Sequence, residues 1–160
     1  GYHKTPSYIR SLANSIAEDL EKNGTPDKIV FSYHGMPKLF LDNGDPYHCF
    51  CQQTTRLVVE ALGLDKDLIM TTFQSRFGKA EWLKPYTDAT LKGFPNEGIK
   101  NIAIISPAFS ADCLETLEEL EEENREIFEH AGGEKYRYIP ALNYREDHIN
   151  ALFDVLKPML

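Results

Sequence analysis

The sequence is poor in the features that mark several common protein classes. No G-x-G-x-x-G, G-K-[ST] or G-x-S-x-G run occurs, which removes the glycine-rich phosphate cradles and the nucleophile elbow of the α/β-hydrolases. Cysteine is scarce: Cys49, Cys51 and Cys113 are the only three in 160 residues. A small, odd number without an export signal predicts reduced thiols and a cytoplasmic location rather than a disulfide framework. Three thiols also cannot form a four-cysteine cluster, so no iron–sulfur cluster is expected within this chain. Positive charge is in deficit, with 17 Lys and Arg against 25 Asp and Glu and a formal net charge of −8. Such a chain lacks the basic face that non-specific nucleic-acid binding needs. No apolar run approaches the ~20 residues of a transmembrane helix, so any membrane contact is expected to be peripheral. The opening Gly1-Tyr2-His3-Lys4 shows no signal-peptide pattern, and the missing initial Met is expected of a fragment or a trimmed chain.

What is present reads as one globular domain over 1–160, with 42% hydrophobic and 26% charged residues. No internal repeat or low-complexity linker divides it. Ser7–Asn23 carries Tyr8, Leu12, Ile16 and Leu20 at helical spacing and stops at Gly24 and Pro26. Lys28–Ser32 is a β-branched and aromatic strand, broken by Gly35 and Pro37. The turn-rich Asn43-Gly44-Asp45-Pro46 then leads to a helix over Thr54–Leu62, capped by Gly63. Strands follow at Leu68–Phe73, Asn101–Ile105 and Tyr136–Ile139, with helices at Tyr86–Leu91, Leu114–Ala131 and Asp147–Leu156. This alternation predicts an α/β fold: a doubly wound parallel sheet of about four strands flanked by helices. In such sheets ligands collect beyond the carboxyl ends of the strands. His34, Gln74 and the stretch from Pro107 to Glu115 all lie just past predicted strand ends, and so converge on one rim.

His34 in that position serves either as a metal ligand or base near neutral pH, or as a hydrogen-bonding cap of the strand. Asp112 reads as the N-cap of the long helix, and Glu115 three residues on completes a capping box. The pair therefore has a structural explanation from sequence alone. That helix also holds Glu118, Glu119, Glu121, Glu122, Glu123 and Glu126. At roughly 100° per residue, Leu114, Leu117, Leu120, Ile127 and Phe128 share one face and Glu115, Glu119, Glu122 and Glu126 the other. The acidic face is either solvated or a carboxylate track for a hydrated divalent cation. Cys49-Phe50-Cys51 is a C-x-C pair, read as two reduced thiols near a loop.

Four segments resemble one family in order along nearly the whole chain. Phe31-Ser32-Tyr33-His34-Gly35-Met36-Pro37 is similar to the ferrochelatase F-S-x-H-x-x-P segment, and Asn43-Gly44-Asp45-Pro46-Tyr47 to its G-D-P-Y loop. Phe73-Gln74-Ser75-Arg76-Phe77-Gly78, with Trp82-Leu83 and Pro85-Tyr86-Thr87-Asp88, resembles the Q-S-[RK]-x-G…W-L-x-P-x-T-D stretch. Pro107-Ala108-Phe109-Ser110-Ala111-Asp112-Cys113-Leu114-Glu115-Thr116-Leu117 resembles the P-x-F-x-x-D-x-[LI]-E-T-L block.

The resemblance implies the carboxy-terminal half of a lyase that inserts Fe²⁺ into protoporphyrin IX to form haem, with the porphyrin lying between two similar halves. It implies His34 and Glu115 as catalytic residues at the macrocycle centre, and Tyr33, Phe73, Gln74 and Phe109 as substrate-binding positions. It carries His34, Glu115, Glu119 and Glu123 over as metal residues, with Fe²⁺ a substrate and no cofactor required. Ideal-helix phasing puts Glu123 off the acidic stripe, and a π-type widening reconciles the two. Cys113 stands where some members carry His. The implied partners are porphyrin, Fe²⁺ and the amino-terminal half of the enzyme, without which the chain is expected to be inactive. Three alternatives stay open: a related chelatase acting on Co²⁺ or Ni²⁺, a non-catalytic fragment that binds a ligand or partner half, and a generic α/β small-ligand binder.

Overall fold

Four short runs of β-branched and aromatic residues pair side by side, all parallel, in the order β2-β1-β3-β4. The computed structural model describes residues 1–159; Leu160, the last residue of the expected domain, lies outside them. The strands are β1 (Lys28–His34), β2 (Ile69–Gln74), β3 (Asn101–Ile105) and β4 (Lys135–Tyr138). Parallel strands need crossover connections, and helices supply them.

Side chains alternate across β1. Ile29, Phe31 and Tyr33 join one core with α1 (Pro6–Asn23), α3 (Tyr47–Leu62) and α7 (Glu146–Leu156). Val30 joins the opposite core with Leu91 of α4 (Thr87–Gly93), Leu120, and Phe128 of α6 (Asn124–His130). Ile102, Ala103, Ile104 and Ile105 of β3 divide between these two cores, which is why that strand is apolar throughout. The sheet is thus covered on both faces, an α/β fold of the doubly wound kind. The chain winds one way from β1 to β2 and the other way from β3 to β4, so the carboxyl ends of β1 and β3 flank the crevice where such folds bind ligands.

Several boundaries differ from the sequence reading for physical reasons. β1 runs through His34, because the ladder with β2 continues to His34 opposite Gln74 and then to Gly35 N–H on Gln74 O at 2.8 Å. His34 is therefore the last strand residue and not a loop residue. α3 begins two turns before Thr54, and Asp45 Oδ1 accepts from the Tyr47 N–H at 2.8 Å ahead of it. Cys49 and Cys51 lie on this helix, free, exposed and buried respectively, and burial pushes the Cys51 thiol up to about 12. A short helix α2 (Lys38–Asp42) fills the loop after Pro37.

The long helix is composite: α5 (Leu114–Thr116), a π segment (Leu117–Glu123) and α6. Its cap is Cys113, with Thr116 completing the capping box, not Asp112 with Glu115. Asp112 instead accepts from Thr116 Oγ1 (2.9 Å), Tyr138 OH (2.6 Å), Ala141 N–H (3.2 Å) and Asn143 Nδ2 (2.8 Å), tying the helix start to the chain beyond β4. The expected apolar face is also broken. Leu120 and Phe128 are buried, whereas Leu114 and Leu117 are 73% and 45% exposed, because widening the helix between them changes the phase.

α7 is latched to α1 through Asp147, which accepts from Ser11 Oγ (2.9 Å), Asn14 Nδ2 (3.1 Å) and Arg145 Nε (3.1 Å). Partial burial raises this carboxyl, but the bonds from Arg145, Asn14 and Ser11 outweigh it and hold it at about 2. A carboxyl lowered on folding stabilises the chain above its unfolded pKa of ~3.9, and that contribution is lost as pH falls through the folded value. Melting temperature should therefore fall between about pH 4 and pH 2 more steeply in the wild type than in Asp147→Asn, the two curves converging toward pH 2. Asp112→Ala, which strands the Tyr138 hydroxyl and the Asn143 amide, should cost about 2–3 kcal/mol in urea unfolding at neutral pH with an unchanged m-value.

Candidate active site

The carboxyl rim gathers side chains from β1, β2, the loop after β3 and the acidic helix. At its base is a buried polar network. Ser32, Thr72, Gln74, Thr87 and Ser106 are each 3% exposed or less. Gln74 Oε1 accepts from Ser32 Oγ at 2.7 Å, and Ser106 Oγ donates to the Ser32 carbonyl at 2.7 Å. Gln74 Nε2 donates to the Glu115 carbonyl at 2.8 Å. One amide thus joins β1 and β2 to the first turn of the acidic helix.

His34 sits half-buried on this base. Its Nδ1 lies 2.7 Å from the Gly35 carbonyl. A carbonyl only accepts, so Nδ1 carries the proton and Nε2 keeps its lone pair for whatever enters the cleft. The ring lies 6.4 Å from Phe109 and 6.5 Å from Trp82, centroid to centroid. Tyr47 OH donates to the His34 carbonyl at 2.8 Å. Gly35 is required by close approach: a Cβ there would stand 2.8 Å from the Gln74 carbonyl and 3.1 Å from the Trp82 ring.

Glu115 reaches the same rim from α5. The hydrogen bonds from the Cys113 thiol and the Glu115 N–H hold its carboxyl below the usual carboxylate value. The pairing of a histidine with a free Nε2 and a readily ionised carboxylate suits proton acceptance and transient metal contact.

One turn on, Glu119 accepts from the Ser75 N–H at 2.7 Å, from the Ser75 hydroxyl, and from Gln74 Nε2 at 3.4 Å. Ser75 adopts φ 63°, a left-handed conformation that aims both its donors at Glu119. Glu119 and Glu123 line a cavity of about 210 Å³ with Gln74, Ser75, Arg76, Asp88 and Asn124. Both acids belong to the π segment and line this one cavity. Among the described residues no three His, Cys, Asp or Glu side chains are placed together to hold a metal ion.

The structure brings His34, Glu115, Phe109 and Glu119 to one rim and sets Glu123 beyond Glu119. Tyr33, Phe73 and Gln74 are buried at 2%, 1% and 3%. Tyr33 bonds Thr55 at 2.9 Å, and Phe73 packs on His48 and Tyr33, so in this chain they support the site from beneath. Sequence reasoning passed over Ser75 and Asn124. Ser75 stands inside a quoted motif, so its signal was present; nothing in the spacing of the acidic run marks Asn124.

The ferrochelatase family model matches residues 1–160. Relatives include "Ferrochelatase 2" of Shewanella oneidensis, 60% identical over 99% of this chain and 49% of its own length. The ferrochelatase of Hydrogenovibrio crunogenus is 61% identical over 97% of this chain and 41% of its own length. That of Marinobacter nauticus is 53% identical over 99% and 43%. The chain thus spans about half the length, or less, of the curated relatives it matches. With a match that runs the whole sequence, the chain belongs to the ferrochelatase family.

Proposed function

We propose that this chain supplies the His and Glu wall of a cleft in which Fe²⁺ is inserted into protoporphyrin IX, the opposite wall coming from an amino-terminal half. The observation that carries this reading is His34 at the switch-point rim, its Nδ1–H committed to the Gly35 carbonyl, with Glu115 brought to the same rim by the bond from Gln74, the ladder partner of His34, to its carbonyl. Insertion releases two pyrrole N–H protons as Fe²⁺ enters. His34 and Glu115 take those protons or pass the metal. Phe109 offers an apolar surface beside His34 for a planar macrocycle. Glu119 and Glu123 offer oxygen ligands to hydrated Fe²⁺ on its way in. Fe²⁺ is substrate, and the scheme calls for no resident cofactor.

Porphyrin absorbance with Fe²⁺, recorded with and without an added amino-terminal half, tests the scheme. The chain alone should be folded but show little or no metallation; turnover by the chain alone that matches a full-length enzyme would place the whole site on this half. In the full-length protein, His34→Ala should lower metallation by ~10²–10⁴-fold. Glu115→Gln, which keeps shape and removes charge, should also cause a large loss. Stability should change by about 0.5 kcal/mol or less in both, since neither side chain fills the core. Near-normal metallation by His34→Ala would overturn its catalytic role.

A further inference from the structure

The helix bearing Glu115, Glu119 and Glu123 changes hydrogen-bond register along its length, and the change leaves a debt in the backbone. At the end of the π segment the Asn124 N–H donates to the Glu119 carbonyl, five residues back. In α register that donor belongs to Leu120. The wider turn thus deprives the Leu120 carbonyl of its α-register partner, at a residue with no solvent exposure. A buried carbonyl needs a donor, and β4 provides one: the Tyr136 hydroxyl donates to Leu120 O.

Tyr136 is itself held in place. It is 6% exposed, with its ring centroid 6.0 Å from that of Phe128. Arg125 Nη1 donates to the Tyr136 carbonyl at 2.9 Å, its guanidinium lies 5.0 Å from the ring centroid, and its Nε reaches the Glu121 carbonyl at 3.0 Å. Asn124 Nδ2 adds a second donor to Glu119 O at 2.8 Å, reinforcing the wide register.

We propose that Tyr136 is a positioning residue: by satisfying Leu120 O it holds the π register that turns Glu119 and Glu123 into one cavity. What those aligned acids serve rests on the function proposed above; the register argument does not. Without the hydroxyl, the direct repair of Leu120 O is the return of the Asn124 N–H to α register. That withdraws it from Glu119 O and turns Glu123 about the helix axis relative to the Ser75 wall of the cavity. A tyrosine that merely found a convenient acceptor would leave the register as it is.

Tyr136→Phe removes the hydroxyl and keeps the ring in the core. In this chain, amide hydrogen exchange over residues 117–124 should quicken roughly tenfold, the worth of about one hydrogen bond, while β1 and β3 keep their protection. Asn124→Ala should act on the same segment. In the full-length protein, Tyr136→Phe should raise KM for Fe²⁺ by roughly tenfold and leave the porphyrin KM unchanged. Unchanged exchange over 117–124, or an equal loss of protection across the sheet, overturns the proposal, as does a KM for Fe²⁺ that stays put in an active enzyme. A full-length wild type that fails to metallate porphyrin defeats the function reading instead, and exchange alone then decides the role of Tyr136.

Discussion

The Gln74 side chain is sealed between the sheet rim and the acidic helix, and a buried amide must have both its oxygen and its nitrogen met. Ser32 answers the oxygen from β1, and the Glu115 carbonyl answers the nitrogen from the helix. Leaving either end unpaired costs about 1–3 kcal/mol, so β1, β2 and the start of the helix keep one relative position. His34 pairs with Gln74 in the ladder, and Glu115 hangs from the carbonyl that Gln74 grips. The geometry of the candidate pair is therefore inherited from the buried network beneath it. Neither His34 nor Glu115 needs its own anchor in the core, and both keep a free face toward the cleft.

Glu119 is held by Ser75 and Gln74, and Glu115 is steadied only by its neighbours in the helix cap. In α register, acids four residues apart drift about 40° around the axis at each step. The π segment keeps successive carboxylates in line, and Tyr136, Asn124 and Arg125 answer the backbone groups that this leaves exposed to competition. The same widening explains why Leu114 and Leu117 face outward: a helix cannot change pitch and still present one continuous apolar stripe to the core.

Much of the architecture was legible before any coordinates. Alternating runs such as Lys28–Ser32 and Asn101–Ile105, separated by helical periods, admit little but a parallel sheet wrapped on both faces. Strand-end placement then put His34 and the Pro107–Glu115 stretch on one rim. The reading failed where local chemistry competes with itself. Asp112 has the composition of an N-cap, yet Tyr138 and Asn143 claim it, and a weaker local candidate, Cys113, takes the cap. The first two turns of α3 were missed because aromatic and cysteine residues there carry no helical signature of their own.

The sequence by itself determined the order of elements, the acidic character of one long helix and the identity of the residues at the rim, because these follow from local periodicity and residue chemistry. Only the tertiary structure decided which of those residues stay open and which become supports. Tyr33, Phe73 and Gln74 sit next to His34 in space or in motif, but pairing across β1 and β2 buries them. The π register likewise depends on a tyrosine that comes twelve residues after Asn124 in sequence, from a strand on the far side of a turn. No local rule links that hydroxyl to the Leu120 carbonyl, since the contact exists only once β4 has paired with β3 and the helix has packed across it.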